Sequence, residues 1–241
     1  MPPPDQPVTN RILAALPAST LDALRPELKP VRLSRGTVIN EFGSRIDHIF
    51  FIARGLVSLV KTMADGRMVE IGAIGPEGVT GVNALFDIGT ALIDTVVQLP
   101  GEAHRIPVSR LLALMKVHPS IHGLLEACVH TALNQITHTA ACNRLHTSEE
   151  RCCRWLLMCN DAALSDEFQL TQEFLSVMLG VRRVSVTHIA GDLQRAGIIR
   201  YHRGTMTIVD REALERRACE CYDAVRSAYE DMLVRKAPSG L

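Results

Sequence analysis

Between Thr171 and Val209 five arginines, Arg182, Arg183, Arg195, Arg200 and Arg203, face only Glu173 and Asp192, in a chain whose formal net charge is zero. A locally basic stretch of this kind suits a polyanionic partner. The apolar residues around it have the spacing of a helix-turn-helix. Thr171 can cap a first helix with its hydroxyl, and Gly180 supplies a left-handed residue for the turn. A second helix from about Arg182 to Ala196 buries Val186, Ile189, Ala190 and Leu193 on one side. A helix that enters the major groove N-terminus first reads bases through its first two turns, which makes Arg183, Val184, Ser185 and His188 the candidate base readers. Arg182, Thr187, Thr171 and Gln172 are placed for phosphates. After Gly197 the alternating runs 198–201 and 205–209 flank His202-Arg203-Gly204 and read as a hairpin wing with a basic tip, which adds Arg200 and Arg203. The implied partner is double-stranded DNA.

Sulfur and imidazole are the other reactive groups. The seven cysteines, Cys128, Cys142, Cys152, Cys153, Cys159, Cys219 and Cys221, are odd in number and lack disulfide-type spacing. All fall in segments that read as helical, which implies reduced thiols. His138, Cys142 and His146 stand at i, i+4 and i+8, and His118 and His122 at i and i+4, spacings that set ligands on one helix face. Three groups spread over two turns cannot close on one ion without ligands from elsewhere. Cys219-Glu220-Cys221 and Cys152-Cys153 are better redox candidates, but residues two apart on a helix point to different sides. The expectation is therefore no metal site and no cofactor. No nucleophile paired with a base, phosphate loop or complete ligand set argues for an enzyme.

The elements that must position these residues are legible in the chain's texture. A length of 241 residues with 47% hydrophobic content supports two cores. No run approaches the roughly 18 apolar residues of a membrane span, and the proline-rich start, MPPPDQPVTN, has no signal-peptide pattern and reads as mobile. A cytoplasmic protein without a membrane partner is expected. Short helices near Arg11–Leu16 and Leu21–Leu24 precede glycine-broken apolar runs from Val31 to Pro107. These read as antiparallel strands, with a hairpin at Ala64-Asp65-Gly66-Arg67 and separate strands over 94–98 and 103–106. A helix spans 109–117, and a long one 120–145 carries Ile121, Leu125, Cys128, Ala132 and Ile136 at steps of three and four. That seam, which Thr139 and Asn143 continue, predicts pairing with a second copy, with packing on the chain's own β-roll as the alternative and both packings open on different sides. A further helix restarts at Thr147 and holds the sole tryptophan, Trp155. A last helix from Arg211 to about Val234 reads as an extension of the same C-terminal core.

This order, carried by LTQEFLSVMLGVRRVSVTHIAGDLQRAGIIRYHRG and by RGLVSLV, GPEGVTGVNALF and VVQLPGEAHRIP, resembles the bacterial regulators typified by the cyclic-AMP receptor protein and the fumarate-nitrate regulator. The resemblance implies an α+β fold. Residues 1–118 form an N-terminal antiparallel β-roll of cyclic-nucleotide-binding-like, jelly-roll type, 119–147 a long dimerisation helix, and 148–241 a C-terminal winged helix-turn-helix. It further implies a homodimer on a two-fold symmetric operator, with Arg183, Val184 and His188 in base-reading places. RNA polymerase and an unidentified small-molecule effector are further candidate partners. Cyclic-nucleotide members hold the ribose with a glutamate after a glycine, and the phosphate with an arginine followed by a small hydroxyl residue. Here Gly81 is followed by Val82 and Asn83, and Asp94-Thr95 aligns with the arginine pair. Gly78, Gly81, Val82, Asn83, Asp94 and Thr95 thus define a sensor pocket hostile to a cyclic phosphate. The cysteine cluster of the iron-sulfur members has no counterpart, since the first cysteine is Cys128. A redox- or metal-responsive regulator, or a ligand-binding module with lapsed DNA binding, is the alternative reading.

Overall fold

Residues 10–86 and 89–236 are described by the computed structural model; the proline-rich start up to residue 9 lies outside them. Short helices α1 (Arg11–Ala14) and α2 (Ala18–Leu24) lead into the sheet. The sheet consists of β1 (Lys29–Leu33), β2 (Val38–Asn40), β3 (His48–Thr62), β4 (Met68–Ile74), β5 (Val79–Thr80) and β6 (Asp94–Pro107). It is antiparallel in the order β1-β6-β3-β4, with β2 also on β6 and β5 also on β3. Asn10 anchors the N-terminal end. It caps α1 by accepting from the Leu13 amide, and its amide group donates to the Ile52 and Gly78 carbonyls at 2.7 and 2.9 Å.

Where the sequence suggested two strands over 94–98 and 103–106, one long strand runs through, and its pairing with β3 shifts register between Ile52 and Val57. The backbones nearly touch there. A Cβ at Gly101 would stand 1.9 Å from the Arg54 carbonyl oxygen, and Gly55 has φ +92°. Only glycine fits such an approach, so the strands bend without breaking.

Helix α3 (Val108–Val117) and the long α4 (Pro119–Leu145) follow. Then come α5 (Ser148–Ala163), β7 (Glu167–Gln169), α6 (Gln172–Leu179), α7 (Arg183–Arg195), β8 (Ile199–His202), β9 (Thr205–Ile208), α8 (Arg211–Arg217) and α9 (Cys221–Lys236). A complete capping box, with Thr147 and Glu150 satisfying each other's backbone amides, starts α5 two residues after α4 ends. The short β7 joins the wing in a three-stranded sheet of order β7-β9-β8. No helix of the described residues is long and apolar enough to cross a membrane.

Two expectations change at the C-terminus. The last helix is broken at Ala218, which is extended at ψ 156°, giving α8 and α9 in place of one rod. Nor does α9 extend the winged-helix core beyond Tyr222. Val225, Tyr229, Met232 and Leu233 are buried with Ile121, Leu124, Leu125 and Cys128 of α4, in the same core as Ile12, Ile49 and Ile106.

Candidate nucleic-acid interface

The helix-turn-helix forms as the residue spacing dictates. Thr171 caps α6 by accepting from the Phe174 amide at 3.3 Å, and Gly180 ends it in the left-handed region at φ +64°. Arg151 donates to the Leu179 carbonyl and so satisfies one of the orphan acceptors at that end. Between the two helices Leu175, Leu179, Val186, Ile189 and Leu193 are buried together with Trp155, Leu156 and Ile198. Each large apolar side chain so buried contributes on the order of 1.5–3 kcal/mol, which fixes the angle of α7.

What remains outside is the predicted recognition face. Arg182, Arg183, Val184, Thr187 and His188 are exposed and Ser185 is half-buried. Val184, an apolar residue, is 64% exposed at the second position of the helix, where packing does not use it. The Thr187 hydroxyl donates to Gln172 Oε1 at 2.8 Å, so these two tie the start of α6 to α7. Arg195 is paired with Asp192, which neutralises the charge toward the far end of α7. Arg182, Arg183, Arg200 and Arg203 have no ion-pair partner among the described residues. The wing tip is a two-residue turn in which both Arg203 (φ 48°) and Gly204 (φ 83°) are left-handed. That is the hairpin geometry whose twist matches the strands, and it holds the Arg203 guanidinium at the apex at a cost of about 1–2 kcal/mol for a non-glycine residue.

The face of α6 away from α7 meets the sheet domain. Gln98 Nε2 donates to Met178 Sδ at 3.1 Å, the Arg35 guanidinium lies 5.3 Å over the Phe174 ring, and Leu56, Val60, Ala73 and Leu99 share the core with Trp155 and Met178.

The six predicted sensor residues do not converge. Gly78 accepts from the Ile52 amide, whereas Asp94 pairs with Val60, eight residues further along β3 and up to roughly 25 Å away in extended strand. Asp94 is occupied locally, accepting from the Phe42 amide at 2.8 Å and the Thr62 hydroxyl at 3.0 Å, and Thr95 is a buried strand residue. Gly81 is at φ +84°, and a Cβ there would lie 2.9 Å from the His48 carbonyl; Val82 and Asn83 begin a short 3-10 turn. The alignment of Asp94 with a phosphate-binding arginine is therefore corrected: the strand register carries it out of reach of Gly78 and Gly81.

The seam is also shifted. Ile121, Leu125 and Cys128 are at most 5% exposed in the single chain, covered by α9 and the N-terminal core, and are not free to face a second copy. Ala132 and Ile136 are half-buried. The uncovered stripe of α4 runs instead through Val129, Leu133, Ile136, Ala140 and Asn143, at alternating steps of four and three, with Leu133 59% exposed.

Cys142 and His146 meet Cys219 and Cys221, and the four ligand atoms all lie within 4.8 Å of one another. The missing ligands come from the bend that splits α8 from α9, since Cys219 is outside any helix. His138 contributes only its carbonyl, 3.9 Å from Cys221 Sγ. Cys152 and Cys153 are buried core thiols whose pKa values burial pushes well up from the ordinary thiol value, a direction that disfavours the reactive thiolate.

Comparison with known proteins agrees with both halves of the molecule. The profile of the cyclic nucleotide-binding domain matches residues 30–118, and that of the Crp-like helix-turn-helix domain matches residues 150–217. A CRP-like cAMP-activated global transcriptional regulator of Mycobacterium tuberculosis is 26% identical over 216 residues, spanning 86% of this chain and 96% of that protein. A global nitrogen regulator of Synechococcus elongatus is 20% identical over 192 residues, 76% of this chain and 86% of that one. Among solved structures, a Crp/Fnr-family regulator from Eubacterium rectale superposes with a TM-score of 0.65 at 16% identity, covering 86% of this chain and 96% of its own. FixK2 from Bradyrhizobium japonicum superposes with 0.66 at 15% identity, covering 80% and 98%.

Proposed function

Because this chain belongs to the Crp/Fnr family of DNA-binding transcription regulators, which are not enzymes, we propose that it reads a two-fold symmetric operator as a homodimer. The observation that carries the reading is the exposed start of α7, where Arg182 and Arg183 stand without ion-pair partners among the described residues and Val184 is solvent-facing. Arg183 donates to guanine, Val184 meets a thymine methyl, and Ser185 and His188 complete the base contacts. Arg182, Arg200, Arg203, Thr171 and the Gln172–Thr187 pair hold the phosphates.

The dimer forms along the free stripe of α4, and its two-fold axis sets the recognition helices one DNA turn apart. The units are 1–118, 119–147 and 148–241, with α9 returning to α4. The protein acts in the cytoplasm, with RNA polymerase and a small effector as further partners. The relative from Mycobacterium is described as cAMP-activated; for this chain cyclic AMP is not the effector. Residues 78–93, the segment that runs from Gly78 to the start of β6, contain no lysine or arginine, and a desolvated cyclic phosphate needs a cation or several charge-assisted donors.

Selection from random duplex DNA with the purified protein tests the reading. An enriched inverted repeat with half-sites one helical turn apart is expected. Enrichment of an asymmetric site, or of none, contradicts it.

A further inference from the structure

Residues 147–218, which include the whole winged helix-turn-helix, lie between two pairs of metal-ligating side chains. Cys142 and His146 sit at the end of α4, just before the chain enters this domain, and Cys219 and Cys221 stand where it leaves. The four ligand atoms are mutually within 4.8 Å. Cys142 Sγ is 3.5 Å from Cys219 Sγ, and Cys221 Sγ is 3.7 Å from His146 Nδ1. In a tetrahedral site with metal–sulfur bonds near 2.3 Å and metal–nitrogen bonds near 2.0 Å, neighbouring ligand atoms are about 3.5–3.8 Å apart. The two measured edges match, and the widest separation needs about 1 Å of closure.

Three further features fit a cation and not a simple packed cluster. First, the thiols are enclosed: Cys142, Cys219 and Cys221 are 0%, 4% and 3% exposed and form a small core of their own. Second, the imidazole is already oriented. His146 Nε2 lies 3.2 Å from Glu220 Oε2, which leaves Nδ1 toward the sulfurs, the arrangement of a carboxylate-supported histidine ligand. Third, Arg154 is buried at 7% exposure with its charge acting on Cys142 and Cys219, and its Nε and Nη1 lack hydrogen-bond partners among the described residues. A divalent ion with three thiolates and a neutral imidazole carries one net negative charge, which a buried guanidinium offsets.

We propose that Cys142, His146, Cys219 and Cys221 form a tetrahedral site for a thiophilic divalent cation of the zinc class, with Glu220 holding the His146 ring in place through Nε2 and Arg154 as the counter-cation. Soft thiolates with one imidazole select such ions over magnesium or calcium. The bound ion staples the entry of the DNA-binding domain to its exit and fixes how that domain hangs from α4. Any effect on DNA affinity rests on the proposed operator binding; uptake of the metal does not.

Cobalt(II) titration of the full-length, reduced, metal-stripped protein under anaerobic conditions tests the site. One cobalt per chain is expected, with thiolate-to-cobalt charge-transfer absorption, strong tetrahedral d–d bands in the visible, and displacement by zinc. Cys219→Ser and Cys221→Ser should each lose saturable binding, and Glu220→Gln should weaken it about 10–100-fold. His122→Ala, at an exposed histidine outside the cluster, should change nothing. The wild type alone can overturn the proposal, whatever the folding of the variants: a weak six-coordinate spectrum, or no uptake, does so. An air-formed Cys142–Cys219 disulfide in a protein that takes up no cobalt after reduction also overturns it, and makes the cluster a redox pair.

Discussion

Trp155 Nε1 donates to Glu70 Oε1 at 3.0 Å, joining α5 of the DNA-binding half to β4 of the sheet domain through a carboxyl that is only 7% exposed. Burial pushes this carboxyl up from 4.5 to about 7, against the hydrogen bonds from Ser58 and Trp155 and the charge of Arg154. The folded chain therefore keeps a proton that the unfolded chain releases. Stability from this group falls as pH rises from about 4.5 to about 7 and is level above. The loss amounts to up to about 3 kcal/mol. Urea midpoints at pH 5 and pH 8 should fall for the wild type, and Glu70→Gln should remove most of that fall. Identical slopes for the two proteins would refute the assignment.

The wing predicts a sequence-independent contribution. Arg203→Ala should weaken specific and non-specific DNA by similar factors and reduce the salt slope by about one phosphate contact. Titrations at several salt concentrations on two duplexes measure both quantities. A loss confined to the specific site would instead make Arg203 a base reader.

For assembly, Leu133→Asp places a charge in the uncovered stripe of α4 without touching the core, since Leu133 is 59% exposed. Light scattering should show a dimer becoming a monomer at micromolar concentration. Ile121→Asp, at 2% exposure, should instead lower the unfolding midpoint sharply, because a charge is buried without a partner. A Leu133→Asp protein that stays dimeric would remove α4 as the interface.

Calorimetry with cyclic AMP or cyclic GMP should show no saturable heat in the micromolar range. Saturable binding there would mean that backbone donors around Gly78–Val82 suffice without a cation.

The sequence carried the helix-turn-helix almost residue for residue, because Thr171, Gly180 and the Val186–Leu193 stripe act through local spacing. The restart of a helix at Thr147 was similarly legible. What escaped was non-local. The strand β7 exists only because Glu167–Gln169 finds β9, residues 205–207. The α4 seam moved round the helix because α9, with Val225, Tyr229, Met232 and Leu233, returns from far along the chain to cover Ile121 and Cys128, which periodicity in α4 cannot reveal. Asp94 was misplaced because the shifts in register between β3 and β6 are set by the close approach at Gly55 and Gly101. The Cys and His residues were each visible, but their meeting depends on the break at Ala218, where no proline or glycine marks the chain.

The most direct measurement of the central claim is a fluorescence-anisotropy titration of wild type and Arg183→Ala on the selected operator and on a scrambled duplex at fixed salt. Wild type should prefer the operator by at least about a thousandfold. Arg183→Ala should lose roughly 1–3 kcal/mol on the operator only. Equal affinity of the wild type for both duplexes, or an Arg183→Ala protein that binds the operator as wild type does, would contradict the account.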